Sequence, residues 1–353
     1  MRIDQLLAAA APGDAVTASA LGNQRLLRTL GPSEVFATFV DPALAGRVHA
    51  LTPAALPPAG PDDVLLVHVS IGAPELMAVL EDRPERVGLV YHNMSPAEAF
   101  APFEPALAAL LRLGRRQLPR LVERASFAVA DSAFNAAELD ALGLRRIEVV
   151  PPASDLDGLL AAGPDEAPAP WPGDGPAVLM VAQVAPHKRQ HRLAGAFHVL
   201  STWHRPDAAL LLVGPSHTPA YDRAVRAHVD RLALTRAALT GRVPLTTLAA
   251  AYRRAAVFVT LSAHEGFCVP LVEAMAFGVP VVAVAAGAVP ETAGDAALLL
   301  DDDAPELVAE AVLAVLDDTT LREAMVARGA GRVEAYRAAS APERALAVFE
   351  GFL

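Results

Sequence analysis

The stretch AVFVTLSAHEGFCVPLVEAMAFGVPVVAV, residues 256–284, decides how this chain is read. AVFVTL is an unbroken apolar run rich in β-branched residues, the pattern of a strand buried on both faces. SAHEGFCV supplies a loop. Pro270 suits the first helical position, where a missing N–H costs nothing, and LVEAMAF continues as a short helix. Gly278 fits the residue just past a helix C-terminus, with Pro280 beyond it. VPVVAV is then a second buried strand. The segment reads as one strand–helix–strand unit of a parallel sheet.

The same alternation extends in both directions. In the second half, further apolar runs at 177–182, 209–214 and 297–300 read as strands, and in the first half so do 34–40, 63–69, 87–91, 127–130 and 147–150. Continuous Val/Leu runs separated by helical patterns indicate a doubly wound α/β fold, and here the pattern occurs twice. Between the two halves, PPASDLDGLLAAGPDEAPAPWPGDGP at 151–176 is dense in Pro and Gly and has no clear period. It reads mostly as a linker. The expected organisation is a first domain over 1–160, a linker over 161–176, a second domain over 177–335, and a C-terminal helix over 336–353 that packs back toward the first domain. Two such domains joined once form a cleft, and ligands of open α/β sheets bind beyond the carboxyl ends of the strands.

Composition narrows the chemistry. Of 353 residues 53% are hydrophobic, ample for two cores. The net charge of −11 offers nucleic acid no long-range attraction, so any anionic ligand must be held by local donors. The single cysteine, Cys268, excludes an internal disulfide and a cysteine-based zinc site. The N-terminus has one basic residue, an early Asp4 and a short apolar run, a poor match to a signal peptide. No window approaches the roughly 18 apolar residues of a membrane span. The expected location is cytoplasmic.

Within 256–284 the helix start exposes backbone N–H groups from about Gly266 to Leu271, which together with the helix dipole make an anion site. Gly266 lets a ligand approach the backbone. Glu265 in the loop and Glu273 in the helix could each accept hydrogen bonds from a pair of hydroxyls. By spacing alone they read equally as solvated carboxylates near a helix N-terminus.

E-G-F-C-V-P-L-V-E-A-M resembles the Glu-x7-Glu signature of retaining glycosyltransferases of the family 4, or group 1, type. G-V-P-V-V-A and G-A-V-P-E-T-A-G-D, at 278–283 and 287–295, resemble the same family. The resemblance implies a GT-B fold, two Rossmann-like doubly wound domains facing each other across a cleft. It implies a nucleotide-diphosphate-sugar donor, UDP-, GDP- or dTDP-linked, and transfer to an acceptor hydroxyl on a saccharide, lipid-linked or natural-product acceptor with retention of configuration. The family is described by front-face attack, in which the departing phosphate assists deprotonation. No metal and no cofactor is expected, the donor being a co-substrate. Glu265 would face the donor sugar and Glu273 the ribose, with Gly266, Phe267, Cys268, Val269 and Pro270 along the sugar and diphosphate. Cys268 reads otherwise as a small buried hydrophobe.

In AVLMVAQVAPHKRQHRLAGAF, Lys188 opens the helix after a strand and resembles the lysine of the family's Arg-x4-Lys phosphate pair. An ammonium there would stabilise charge that develops on the leaving group. The arginine position is Gln183, which can donate but brings no charge; Arg189 or Arg192 would have to compensate. ALTGRVPLTTLAAAYRRA resembles the base-binding loop and its helix, with Arg242 and Val243 near the nucleobase. In the first half, YHNMSP places His92 at a strand end, resembling a histidine that contacts the donor sugar, while His68 inside its strand reads as a core histidine. Ser132 in AVADSAFNAAEL is a cleft-facing residue by resemblance and equally a helix N-cap by position. Gly13, Asp14 and Ala15 resemble the first loop on the acceptor side. Arg112, Arg115, Arg116 and Arg120 fall on one helical face interrupted by Gly114 and Pro119. That face is either solvated or a contact for anionic lipid or a phosphorylated acceptor at the inner membrane surface. Asp301, Asp302 and Asp303 read as a strand end, an N-cap and an acidic first turn. Two rivals stand beside the transferase: another GT-B enzyme such as a sugar-nucleotide epimerase or phosphorylase, and a nucleotide-sugar-binding protein without turnover.

Overall fold

The computed structural model describes residues 1–52, 54–163 and 170–353, and the chain divides into two compact units. The first comprises Met1–Ala97, Ala106–Ala153 and Arg337–Leu353; the second comprises Glu98–Pro105 and Ser154–Tyr336.

In the first unit the strands are β1 (Ile3–Ala10), β2 (Val35–Val40), β3 (His49–Ala50), β4 (Val64–Val69), β5 (Arg86–Tyr91), β6 (Ala125–Ala130) and β7 (Ile147–Val149). They form one parallel sheet in the order β3-β2-β1-β4-β5-β6-β7. The order reverses between β1 and β4, the switch point of a doubly wound sheet. The interior strand β1 is absent from the sequence reading. Its sequence, IDQLLAAA, carries two polar residues and three alanines, a weak strand signal. Both polar side chains are nonetheless buried and bonded: Asp4 Oδ1 accepts from the Glu34 N–H at 2.9 Å, and Gln5 Nε2 donates to the Ala20 carbonyl at 2.9 Å.

The helix Pro105–Arg124 runs through both residues expected to interrupt it. Gly114 is a packing requirement: a Cβ there would sit 2.7 Å from the Gly72 nitrogen, and the Gly72 N–H donates to the Leu110 carbonyl at 3.1 Å. Pro119 lies on the exposed side. The basic face also changes character. Arg115 is turned onto Glu138, the Tyr91 hydroxyl, Asn93 and the Met94 carbonyl, and Arg120 meets Glu81 at 3.1 Å. No described helix is long and apolar enough to cross a membrane. The helix Pro342–Phe352 packs on the face of the sheet that carries Leu66 and Phe127, where Phe352 stacks on Phe127 with ring centroids 4.4 Å apart.

In the second unit the strands are β8 (Ala177–Val181), β9 (Ala209–Val213), β10 (Ala237–Gly241), β11 (Val257–Thr260), β12 (Val281–Val284) and β13 (Ala297–Leu300), ordered β10-β9-β8-β11-β12-β13 and all parallel. Apolar cores cover both faces of this sheet. The ALTG sequence that opens the expected base-binding loop is the end of β10. The unit also begins earlier than the expected boundary at 160. Leu156 and Leu159 of the helix Leu156–Ala161 belong to its core, and Trp171 packs against that core beneath the Arg254 guanidinium. Apolar anchors therefore claim both sides of the Pro- and Gly-rich stretch 151–176; residues 164–169 of it lie outside the described residues.

Candidate functional site

The switch point of the second sheet lies between β8 and β11, and the loops after these two strands carry Lys188 and Glu265. The β8 loop closes in a 3₁₀ turn, Pro186–Lys188, so Lys188 precedes the helix rather than opening it. Arg189 then takes a left-handed backbone (φ 56°) and the helix Gln190–Trp203 follows. The His187 carbonyl accepts from the Ala263 N–H at 2.7 Å, tying the two loops together. Lys188 Nζ consequently reaches both carboxylate oxygens of Glu265, at 2.7 and 2.8 Å. Both side chains are largely buried, so the pair is a strong local charge couple.

The Glu265 backbone is clamped from the next loop. The Ala288 N–H donates to its carbonyl at 3.0 Å. A Cβ on Gly287, which has φ +59°, would sit 2.4 Å from that carbonyl oxygen, so only glycine permits the approach. Thr292 Oγ1 donates to the Phe267 carbonyl at 2.6 Å. The loop is thus fixed through its carbonyls. Among the described residues, no acceptor meets the backbone N–H groups of Gly266, Phe267, Cys268 or Val269. They lead into the helix Val269–Ala276, with Pro270 in its first turn. Four free donors at a helix start beside an ammonium form an anion cradle.

Cys268 sits at the N-cap with φ 81° and ψ 64°, a left-handed conformation that costs a residue with a Cβ about 1 kcal/mol or more. Its thiol is buried. Burial foremost, then the Glu265 charge, pushes its pKa well above the ordinary value, so it stays a neutral thiol. Cys268→Gly is therefore expected to unfold in urea within about 1 kcal/mol of wild type, since backbone relief offsets the lost apolar contact. Cys268→Val, β-branched at positive φ, is expected to lose about 1–3 kcal/mol. Equal losses for the two variants would show that the backbone is not strained there.

Glu273 lies one turn into the same helix. Its Oε2 accepts from the Tyr252 hydroxyl at 2.8 Å and its Oε1 from Ser154 Oγ at 3.4 Å. Burial raises its pKa against the opposing effect of these two bonds. The sequence offered no signal for Tyr252 or Ser154 as its holders, because they come from remote elements. Gln183 is half-buried, and its carbonyl accepts from Gln190 Nε2 at 2.7 Å. Arg189 and Arg192 both turn to the buried carboxylate of Asp303, at 3.0 and 3.7 Å. Asp303 is accordingly an anchor for the turn after Lys188, and the N-cap of the following helix is Ala304. Arg242 and Val243 directly follow β10, with Val243 packed against the core. Among the described residues no group of three or more His, Cys, Asp or Glu side chains is placed to hold a metal.

In the first unit, His92 follows β5, with Nδ1 2.9 Å from Asp131 Oδ2 and Nε2 2.9 Å from His68 Nδ1. His68 Nε2 lies 2.9 Å from Gln5 Oε1. Neither ring nitrogen of His92 is left over for a sugar hydroxyl. Burial lowers the His92 pKa, but the charge and hydrogen bond of Asp131, with Asp14 farther off, outweigh it, and the net shift is upward. Burial, and then the charge of His92, holds the His68 pKa well below the ordinary value. Ser132 is fully buried and caps the helix Ala133–Ala141 by accepting from the Asn135 N–H, the role its position suggests. Asp14 caps the helix Ala15–Leu27 through the Thr17 N–H and hydroxyl, after Gly13 at φ 75°.

Comparison with known proteins follows the second unit most closely. The profile of the family described as "Glycosyl transferases group 1" matches residues 164–332. A GDP-mannose-dependent alpha-mannosyltransferase of Mycolicibacterium smegmatis is 38% identical over 139 residues, 38% of this chain and 32% of that protein. A D-inositol 3-phosphate glycosyltransferase of Kineococcus radiotolerans is 31% identical over 286 residues, 73% of this chain and 62% of that protein. The chain thus spans less than two thirds of the length of the relatives it matches. Sucrose-phosphate synthase from Thermosynechococcus elongatus superposes with a TM-score of 0.74 at 20% identity, over 99% of this chain and 98% of that one, which establishes the fold as GT-B.

Proposed function

We propose that this chain, whose residues 164–332 match the glycosyl transferases group 1 profile, is a member of that family and transfers a sugar from a nucleoside diphosphate to an acceptor hydroxyl with retention of configuration. The observation that carries the reading is Lys188 Nζ on Glu265 beside the unpartnered N–H groups of Gly266 to Val269. A diphosphate laid on those N–H groups competes with Glu265 for the ammonium. As the glycosidic bond breaks, the leaving phosphate gains charge and the ammonium binds it more strongly, which lowers the barrier electrostatically. Glu265, released from Lys188, can accept from donor-sugar hydroxyls. Glu273, anchored by Tyr252 and Ser154, is suited to accept from the two ribose hydroxyls. In the first unit His92 is assigned to the donor side, and the loop of Gly13, Asp14 and Ala15 to the acceptor.

One relative is named for GDP-mannose, which makes GDP-mannose the first donor to test, ahead of UDP- and dTDP-sugars. A donor at 100 times its Kd is expected to add about 2.7 kcal/mol of apparent stability, read as a rise in Tm. Transfer is then followed as release of nucleoside diphosphate on addition of acceptor saccharides. Failure of every nucleotide sugar to shift Tm would remove the reading.

A second reading, binding without turnover, is favoured by one observation: the arginine position of the Arg-x4-Lys pattern that Lys188 completes is the neutral Gln183, and Arg189 and Arg192 are committed to Asp303. Donor-dependent stabilisation with no nucleoside diphosphate released under any acceptor would select it.

A further inference from the structure

The hydrogen bonds of Gln5, His68, His92 and Asp131 permit only one proton count. The Ala20 carbonyl can only accept, so the Gln5 amide nitrogen faces it and Oε1 faces His68. His68 Nε2 must then carry a proton. Between His68 Nδ1 and His92 Nε2, 2.9 Å apart, one proton is required; between His92 Nδ1 and Asp131 Oδ2, also 2.9 Å apart, another. The two imidazoles and the carboxylate therefore hold three protons in every satisfied arrangement. With two, a bare nitrogen faces the Asp131 carboxylate or the Gln5 amide oxygen, or two bare nitrogens face each other, in a buried site, a costly contact. Neutral imidazoles beside an ionised Asp131 would hold only two.

We infer that His68, backed by Gln5, is a positioning residue that keeps His92 an imidazolium with both N–H groups committed, so that His92 meets a ligand as a fixed charge and not as a hydrogen-bond donor. Gln5 and His68 lie on β1 and β4, the two strands at the switch point of the first sheet, and His92 directly follows β5. The charge rests on His92 because it is the ring that touches Asp131; His68 is buried with no carboxylate bonded to it. Asp14 is the other acidic group whose charge acts on His92. The nearby cation Arg115 is occupied by Glu138, Tyr91, Asn93 and the Met94 carbonyl. The effect on a ligand rests on the transferase reading above; the protonation state does not.

The test is ¹⁵N NMR of ring-labelled histidines in the full chain, with His92 assigned by His92→Gln. In wild type, both His92 nitrogens are expected to stay protonated at a pH where histidine in water is neutral, while His68 shows one bare nitrogen. Gln5→Met frees His68 to carry its proton on Nδ1 and donate to His92, so His92 is expected to give up its second proton at lower pH. His68→Gln, which can turn its amide either way, is expected to do the same. A wild-type His92 with a bare ring nitrogen at neutral pH overturns the inference even if both variants fail to fold, as does a His92 titration unchanged by Gln5→Met. The alkaline limb of kcat/KM is expected to move to lower pH with the ring. If the ring titration moves and that limb does not, the proton arrangement stands and the placing of His92 at the ligand falls.

Discussion

Lys188→Ala is expected to lower kcat by about 10²–10³, the cost of removing one fixed donor from a developing anion. In wild type the ammonium holds both oxygens of Glu265 at 2.7 and 2.8 Å. Its removal has two consequences. The leaving diphosphate loses its cation, and Glu265 stays as a buried, unpaired negative charge beside the anion cradle. Donor binding therefore falls as well, and the variant is destabilised by about 3 kcal/mol, as for a buried pair broken from one side. The double variant Lys188→Ala/Glu265→Gln separates these contributions. Removing both charges is expected to restore much of the stability while turnover stays low. Measuring Tm, kcat and KM on wild type, both single variants and the double variant checks this. Recovery of kcat in the double variant would mean that Lys188 only neutralises Glu265, and its assignment to the leaving group would be lost.

Glu273→Gln is expected to weaken nucleotide binding by about 10-fold or more, the worth of hydrogen bonds to a charged acceptor, and yet to raise stability. The sign follows from burial. The folded-state pKa of Glu273 lies above its ordinary value, because the charged form is penalised in the fold. That penalty is fully present above the folded-state pKa and vanishes as pH falls below the ordinary carboxylate value. Glutamine carries no such penalty and still accepts from the Tyr252 hydroxyl. The Tm of the variant is therefore expected to exceed that of wild type at neutral pH, and the gap to close as the pH is lowered through the folded-state pKa. Nucleotide affinity by calorimetry gives the other half. A variant with wild-type affinity would remove Glu273 from the ribose, while reduced Tm at neutral pH would show its charge to be structural. A carboxylate kept at a cost in stability is what a binding role requires.

How much of this was legible beforehand differs by residue. The strand–helix–strand unit around Glu265 was readable because its strands are continuous β-branched runs and its helix is punctuated by Pro270 and Gly278. The strand β1 was not, since Asp4 and Gln5 make polar bonds that exist only once Glu34, Ala20 and His68 surround them. The helix Pro105–Arg124 was obscured by Gly114, whose role is close packing against Gly72. The Pro- and Gly-rich stretch 151–176 gives up both sides to core contacts of Leu156, Leu159 and Trp171, which no local period announces.

Chain order alone determined the repeated alternation of strand and helix, the positions of Lys188, Glu265 and Glu273 near strand ends or helix starts, and the exclusion of an internal disulfide and a cysteine-based zinc site, because hydropathy period and composition are local quantities. Folding decided who meets whom. It spent Arg189 and Arg192 on Asp303, gave Glu273 to Tyr252 and Ser154, buried Ser132 as a cap, and joined His68 to His92. Hydrogen bonds and ion pairs act over about 3 Å, and residues a hundred positions apart come within that range only through the packing of the sheets.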